Sequence, residues 1–263
     1  DTGRRLKDVL MEKGVDVARI SSGVPLTDLS KIGAFVELHI EQGPRLDAEP
    51  LRRTAVVTGI RGYLRHKRCF VKGETAHSGA VDHAFRHDAV AALAELLTTM
   101  NRHWEAWLAD GKDLVFTCGV VNTPATADIS IISGEVDFGL DMRSLSMETI
   151  RAFHALLLEE AARIERARGV AFGFDDVIVG EAAAPDEALF HHLVNAAQRH
   201  AIPHLTMASG AGHDAAVMTS AGVPSCMIFV ANQMGSHNPH EAMRIEDFLS
   251  GAEILLHAIL HYH

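Results

Sequence analysis

The stretch VELHIEQGP, residues 36–44, places three ionisable side chains in a segment that otherwise has the composition of a buried β-strand. Side chains alternate between the two sides of a strand, so the three aliphatic residues share one side and Glu37, His39 and Glu41 share the other. A Gly-Pro pair ends the strand, and open α/β sheets place functional sites at the carboxyl ends of their strands. The stretch therefore predicts a site on one side of this strand.

The composition indicates a folded protein with one large domain or two ordinary ones. The chain has 263 residues, of which 48% are hydrophobic, enough for a substantial core. Its 34 acidic residues exceed its 24 basic residues and give a net charge of −10. This balance argues against nucleic acid or a membrane surface as partner, because both attract basic patches.

No uninterrupted apolar run reaches the roughly 18 residues of a transmembrane candidate. The three cysteines form no CxxC pair, which favours buried thiols in a reducing compartment and predicts a cytoplasmic location.

Hydrophobic periods of 2 and 3.6 residues divide the two ends of the chain into strands and helices. Strands are predicted at 35–40, 54–60, 204–207 and 225–230, and helices near 4–13, 187–200, 215–221 and 245–260. Asp1 or Thr2 is expected to cap the first helix, which no methionine precedes. Asp214 is expected to cap the helix at 215–221.

The middle of the chain follows the order β-α-β-β-α-β, which is the ferredoxin-like α+β pattern. Its predicted elements are strands at 64–71, 114–121, 130–142 and 170–174, with a turn or bulge at Gly134, and long helices at 86–108 and 147–168. We therefore expect an inserted domain at 62–179, with 1–61 and 180–263 forming a second, α/β domain.

Four segments combine residue types that can carry chemistry. They are residues 37–41, GETAHSG (73–79), ASGAGHDAAV (208–217) and GSHNPHE (235–241). A neutral imidazole beside a carboxylate suits a divalent metal ion. Each segment alone has an ordinary alternative: a core histidine, a strand-to-helix loop, a capped helix, or chance among 17 histidines. The sequence has no GxSxG, P-loop, GxGxxG or HExxH motif, which argues against serine hydrolase chemistry.

Taken together, six segments resemble the carbamoylase branch of the M20-type metal-dependent amidohydrolases, which includes allantoate amidohydrolase and N-carbamoyl-L-amino-acid hydrolase. In chain order they are ELHIEQGP, VVTGIRGYLR, GETAHSGAVDHAFRHDAV, GEVDFGLDMRS, SGAGHDA and SHNPHE. The resemblance implies an α/β fold with a partial metallohydrolase catalytic domain built on a mixed sheet. It also implies an inserted ferredoxin-like α+β domain, which would serve as a lid and as the dimerisation domain of a homodimer.

The resemblance also implies roles for individual residues. His39 is implied as a ligand of one ion of a two-metal site holding Zn or Mn, and His237, in preference to His240, as a ligand of the other. Arg143 is implied as the clamp on a substrate carboxylate, a task that suits a planar guanidinium fork. His77 is implied as a catalytic residue that stabilises an oxyanion, often across a dimer interface. Further substrate-binding positions are implied at Gln42, Ser130, Gly212 and His213.

The chain departs from the family pattern at two places. Ser130 stands where an asparagine usually assists the carboxylate clamp, so a different substrate or an intervening water is expected. The other metal ligands and the general base are expected upstream of this chain, so we expect an incomplete metal site.

The resemblance implies hydrolysis of a linear ureido or amide C–N bond in a small carboxylate-bearing substrate, such as an N-carbamoyl amino acid or allantoate. Two alternatives stay open. One is an M20-type peptidase or aminoacylase, and the other is a non-catalytic fragment or dimerisation module.

Overall fold

The computed structural model describes residues 3–24, 27–51 and 53–262. In chain order its elements are α1 (Leu6–Glu12), α2 (Val17–Ser21), β1 (Phe35–Ile40), α3 (Arg45–Ala48), β2 (Thr54–Ile60), β3 (Gly62–Lys72), β4 (Ala76–His77), α4 (Ala89–Ala109), β5 (Val115–Asn122), β6 (Ile131–Ile132), β7 (Glu135–Ser144), α5 (Met147–Arg168), β8 (Ala171–Gly173), β9 (Ile178–Gly180), α6 (Glu187–Arg199), β10 (His204–Ser209), α7 (Asp214–Ser220), β11 (Ser225–Val230) and α8 (Ile245–Leu260).

Both ends of the chain contribute to a mixed four-stranded sheet in the order β1-β11-β2-β10. Strand β1 runs parallel to β11, and β2 runs parallel to β10, but β11 and β2 are antiparallel. The carboxyl ends of β1 and β11 therefore lie at one edge of the sheet, and those of β2 and β10 at the opposite edge. This mixed α/β architecture confirms the predicted fold class.

The two faces of the mixed sheet carry different layers. One face packs Val56, Cys226 and Ile228 against apolar residues of α6 and α8, including Leu193 and Ile254. The other face packs a smaller apolar cluster, which includes Leu46 of α3, Ala215 of α7 and Phe229. Because α3 and α7 are short, this second face is only partly covered. The open part of it holds the site described below.

The middle of the chain forms an antiparallel sheet in the order β5-β7-β3-β8, with β9 also paired to β3. Helices α4 and α5, of 21 and 22 residues, pack their buried residues into one core with this sheet. The observed order of elements matches the predicted β-α-β-β-α-β pattern, with β4, β6 and β9 as additional short strands. The domain boundaries expected at 61/62 and 179/180 stay a prediction.

The strand predicted at 130–142 is divided in two at Gly134, where a turn or bulge was expected. Residues Ile131–Ile132 pair with β4 in a separate two-stranded sheet, and β7 begins only at Glu135. Gly134 lies at the break, where a Cβ atom would stand 2.5 Å from the backbone nitrogen of Thr75. A side chain at this position would force the two segments apart, so glycine permits the close crossing.

The strand predicted at 64–71 is confirmed as part of β3, but an irregularity interrupts its alternation at one point. His66 pairs with Leu140 and Cys69 pairs with Phe138, so three residue steps on β3 match two on β7. This is a β-bulge at Lys67 and Arg68, which are both exposed. The bulge turns both His66 and Cys69 towards the buried side of the sheet.

Two expected helix caps have different outcomes. Helix α7 begins at Asp214 with His213 at the N-cap, so the expected cap by Asp214 is wrong. The reason is that Asp214 already lies within the first helical turn. Helix α1 begins at Leu6 with Arg5 at its N-cap, and the expected cap by Asp1 or Thr2 lies outside the described residues. Over residues 3–24, 27–51 and 53–262, no helix combines the length and apolar character that crossing a membrane requires.

Candidate functional site

Glu37, His39 and His213 form a compact group of metal-ligand side chains on the open face of the mixed sheet. One candidate ligand atom from each residue lies within 4.8 Å of the others. The rings of His39 and His213 meet edge to face with centroids 4.7 Å apart, and His213 Nδ1 is 3.7 Å from Glu37 Oε1. The cluster therefore lies on the side of β1 where the alternation of side chains places the ionisable residues.

Backbone contacts fix the two residues of β1. Glu37 Oε2 accepts a hydrogen bond of 2.8 Å from the N–H of Ala215, at the amino-terminal turn of α7. His39 Nδ1 lies 2.7 Å from the carbonyl oxygen of Ile40, so Nδ1–H donates to it. This tautomer leaves a lone pair on Nε2, through which His39 can bind a metal.

His213 reaches the cluster from a strand that ends at the opposite edge of the sheet. The turn after β10 crosses the sheet face, and His213 Nε2 lies 2.8 Å from Ser209 Oγ. Burial, with a smaller contribution from the neighbouring His39, lowers the pKa of His213 to about 4. Its imidazole is therefore neutral at pH 7 and able to bind a cation.

A cavity of about 430 Å³ lies beside this cluster, and its lining includes Gln42, Arg61, Phe229, Ser236 and His237. Gln42 has a φ of 62°, its backbone N–H donates to Asn232 Oδ1 at 3.0 Å, and its Nε2 donates to Ser236 Oγ at 3.1 Å. These contacts join the loops that follow the parallel strands β1 and β11.

The expected metal ligand His237 lines the cavity but does not belong to the compact group. Its side chain is exposed, its φ is 61°, and its backbone N–H donates to Glu241 Oε2 at 3.1 Å. The hydroxyl of Ser236, this N–H group and the nearby imidazoles of His237 and His39 hold the pKa of Glu241 below its usual value. A carboxylate thus lies close to both expected metal ligands.

Two arginines converge on the turn after β10. Arg143 pairs with Asp141 at 2.6 Å and donates to the carbonyl oxygen of Gly210, which also lines the cavity. Arg61 lines the cavity and forms a bidentate pair with Asp113 at 2.6–3.0 Å. Arg61 belongs to none of the four segments in which the sequence predicts chemistry. Its position between β2 and β3, where the chain passes from one sheet to the other, is the signal that could have identified it.

His77 and Ser130 are brought together, but away from the cavity. His77 lies on β4 opposite Ile131, and the N–H of Ser78 donates to the carbonyl oxygen of Ser130 at 2.9 Å. Strands β4 and β6 adjoin the end of the antiparallel sheet where Lys72 pairs with Glu135. Arg143 lies on the same strand as Glu135, eight residues further along β7. At about 3.4 Å per residue, this separation is roughly 27 Å. Gly212, the remaining expected position, is exposed next to His213.

The donor set around His39 fits one divalent cation. Two neutral imidazoles and one carboxylate are ligands that zinc accepts, and such a set leaves a coordination position open. Among the described residues, the only other group of three candidate ligands is His66, Cys69 and Asp175, so no second set gathers around His237. The two-metal site remains an expectation.

Comparison with known proteins gives consistent results. The model of the family Peptidase family M20/M25/M40 matches residues 13–261. The chain is 32% identical to the allantoate amidohydrolase of Escherichia coli, covering 88% of this chain and 55% of that protein. It is 32% identical to an N-carbamoyl-L-amino-acid amidohydrolase of Paenarthrobacter aurescens, covering 96% of this chain and 62% of that protein.

A solved structure shows the same similarity in three dimensions. A hydantoinase/carbamoylase family amidase from Burkholderia multivorans superposes with a TM-score of 0.80 at 32% identity, covering 86% of this chain and 54% of that one. The chain thus spans between about half and two thirds of the length of these proteins. The match confirms the resemblance recognised in the six motifs. The chain belongs to peptidase family M20/M25/M40.

Proposed function

We propose that the protein is a metal-dependent amidohydrolase that cleaves a ureido C–N bond in a small carboxylate-bearing substrate. The observation that carries this proposal is the group of Glu37, His39 and His213 beside a cavity that arginine side chains approach. The names of the similar proteins, which act on allantoate or N-carbamoyl amino acids, favour ureides over peptides.

In this proposal Glu37, His39 and His213 hold a divalent cation, Zn or Mn, and His237 with Glu241 contributes to a second. A bound cation polarises a substrate carbonyl and lowers the pKa of water. Gln42 and the turn containing Gly212 position the substrate. The amide of Gln42 is held in place for this by Ser236.

Arg143 is proposed to bind the substrate carboxylate. Its guanidinium is oriented by Asp141 and by the carbonyl of Gly210 at the rim of the cavity. A substrate carboxylate bound in the cavity beside this guanidinium would form a charge-assisted hydrogen bond. A neutral substrate group cannot form such a bond.

His77 and Ser130 are proposed to act on the cavity of a second copy of the chain. The separation of roughly 27 Å along the sheet keeps His77 away from the Arg143 end of its own antiparallel sheet. In a cytoplasmic homodimer, His77 would stabilise the oxyanion and Ser130 would contact the substrate in the partner's cavity. This arrangement reconciles their position with the roles that the motifs imply.

The proposal is tested by loading the 263-residue chain with Mn²⁺ or Zn²⁺, desalting it, and counting the ions retained. Ammonia release is followed in parallel with N-carbamoyl amino acids and allantoate, and amine release with dipeptides and N-acyl amino acids. Retained metal with ureide turnover supports the proposal. Preferred cleavage of dipeptides or acyl amino acids would identify a peptidase or aminoacylase instead. No retained metal and no turnover would favour a non-catalytic role for this chain.

His237 and His240 offer a matched pair for this experiment, because both are exposed and only three positions apart. His237 lines the cavity, whereas His240 does not. His237→Ala is expected to reduce metal retention and turnover, and His240→Ala to leave both near wild type. Equal losses in both variants would contradict the assignment of His237.

A further inference from the structure

The antiparallel sheet contains a second cluster of ligand-type side chains that the proposed reaction does not use. His66, Cys69 and Asp175 each offer one ligand atom within 4.8 Å of the others. The side chain of His66 is 2% exposed and Cys69 is fully buried, while the side chain of Asp175 is 32% exposed. Solvent therefore reaches the cluster only at the carboxylate of Asp175.

We propose that His66, Cys69 and Asp175 bind a divalent transition-metal ion of the zinc class, at a site separate from the cavity of the mixed sheet. His66 would bind through Nδ1, Cys69 through its sulfur as a thiolate, and Asp175 through Oδ1. The fourth position would be taken by water on the exposed side of Asp175, since zinc prefers four ligands.

The β-bulge in β3 creates this arrangement. In a regular strand, His66 and Cys69 would face opposite sides, because three steps separate them. The extra residue at Lys67 and Arg68 places both side chains on the buried side. Asp175 Oδ2 accepts the backbone N–H groups of Lys67 and Arg68, each at 3.1 Å. The carboxylate is thereby fixed through one oxygen, and Oδ1 is left facing His66.

Distances and charge both fit a bound cation. His66 Nδ1 is 3.1 Å from Asp175 Oδ1, and ligand atoms about 2.0–2.1 Å from a tetrahedral zinc stand roughly 3.3 Å apart. One thiolate and one carboxylate neutralise a divalent cation, so the ion can be buried without leaving a net charge. When it binds, the Cys69 S–H bond is replaced by a metal–sulfur bond and the proton leaves to solvent.

His154 of α5 supplies the outer partner that such a histidine ligand needs. Its Nε2 lies 2.9 Å from Nε2 of His66, on the side of the ring away from Asp175. With Nε2–H of His66 donating to His154, the lone pair of Nδ1 is directed at the proposed ion. The ring of Phe174, 5.4 Å from that of His66, further restricts its orientation.

A network of hydrogen bonds without metal is the competing explanation. In it, His66 donates to Asp175, and Asp175 serves only to satisfy the amides of the bulge. In that explanation Cys69 is only a buried core residue, and among the described residues no hydrogen bond is found for its thiol. A probe that reports on the sulfur therefore separates the two explanations.

The experiment is a titration of the 263-residue chain with Co²⁺, followed by the thiolate-to-cobalt charge-transfer absorption in the near ultraviolet. The group at Glu37, His39 and His213 contains no cysteine, so this band reports the proposed site whether or not the protein is an amidohydrolase. Burial raises the pKa of Cys69 to about 12, so the metal-free thiol adds no thiolate background at neutral pH. We expect the band in the wild type and its loss in Cys69→Ser.

Two other thiols provide matched controls, because the chain has three cysteines in all. Cys226 is also buried but lies in the mixed sheet, and Cys118 is partly buried on β5. The band should persist in Cys226→Ser and Cys118→Ser. His154→Gln should weaken cobalt binding by roughly 10–100-fold, as expected for an outer partner of a ligand.

Should Cys69→Ser fail to fold, Asp175→Asn serves in its place, because its amide oxygen can still accept the bulge N–H groups while the ligand charge is lost. The proposal is overturned if folded wild-type protein shows no band, if the band survives in both Cys69→Ser and Asp175→Asn, or if it disappears in Cys226→Ser.

Discussion

The mixed sheet and the antiparallel sheet both gather histidines and carboxylates, but in different places. In the mixed sheet, β1 and β11 run parallel, so the loops after them meet and bring Gln42 beside Asn232 and Ser236. In the antiparallel sheet, neighbouring strands end at opposite edges, and the polar cluster forms instead at a bulge within the sheet. Strand direction thus decides whether polar side chains collect at an edge or need a local irregularity.

The layers above the two sheets sharpen this difference. On the mixed sheet, a cavity of about 430 Å³ is lined by Phe229, which pairs with His39, and by loop residues that include Gln42 and Gly210. The long helices α4 and α5 close the face of the antiparallel sheet around His66. The first cluster therefore has room for a substrate, whereas the second can hold little more than an ion.

The largest effects are expected from truncating the two cores. Leu157 of α5 and Leu193 of α6 are both 0% exposed and belong to different apolar clusters. Changing either to Ala should lower the free energy of unfolding by about 2–5 kcal/mol, measured by urea denaturation. Leu157→Ala should shift the transition of the antiparallel unit, and Leu193→Ala that of the mixed-sheet unit. The neighbouring Leu158, 40% exposed, should tolerate alanine far better. A single transition that both variants shift equally would mean that the two regions unfold as one unit.

The next effect concerns pH and the buried His213 in metal-free protein. Its pKa of about 4 lies below the ordinary value of 6.5, so the unfolded chain binds a proton more readily than the folded one between these values. The free energy of unfolding should therefore fall as pH drops from 6.5 to 4, by on the order of 3 kcal/mol from this residue. Unfolding is measured across this range in wild type, His213→Gln and the exposed control His191→Gln. The decline should be shallower in His213→Gln alone, and an unchanged slope there would contradict the assignment.

A smaller effect is expected on substrate binding at the rim of the cavity. Arg143→Ala should lower kcat/KM for carboxylate-bearing ureides by roughly 10–100-fold, because one charge-assisted contact contributes about 1.5–3 kcal/mol. The exposed Arg68 provides the control, since its guanidinium lies 3.9 Å from Asp137, six residues before Arg143 on β7. Comparable kinetics for Arg143→Ala and wild type would exclude Arg143 as the clamp.

The smallest effects should come from matched helix caps in the two regions. Ser146 accepts the N–H of Thr149 at the start of α5, and Asp186 accepts that of Leu189 at the start of α6. Replacing either with Ala should cost about 1 kcal/mol of unfolding free energy. Ser250, which lies within α8 and bonds back to the carbonyl of Glu246, is the control and should change stability less. A loss at Ser250 equal to those at the caps would show that the cap contacts contribute nothing specific.

Much of the fold could be predicted because its signals are local. The helix at Met147–Arg168 follows a 3.6-residue pattern of apolar residues, and its bounds match the prediction. The alternation at 35–40 likewise predicts β1 and the side on which Glu37 and His39 lie. The bulge at Lys67 and Arg68 is not part of the prediction, although these two consecutive charged residues interrupt the strand pattern in the sequence.

The candidate site could be predicted only in part. The motifs identified His39, His213 and His237, but they gave no reason to place His213 against Glu37 and to leave His237 apart. They also gave no sign that His77 lies at the far end of the antiparallel sheet from Arg143. These relations depend on strand order and register, which no short segment encodes.

The sequence by itself determined the secondary structure of most of the chain, the α/β class and the residue types that carry the chemistry, because periodicity and motifs act over a few neighbouring residues. The tertiary structure alone decided that β11 and β2 run antiparallel, that the turn after β10 crosses the sheet to bring His213 to Glu37, and that a bulge joins His66 with Cys69 and Asp175. Such contacts form between residues far apart in the chain, where packing of the whole fold selects one pairing among many.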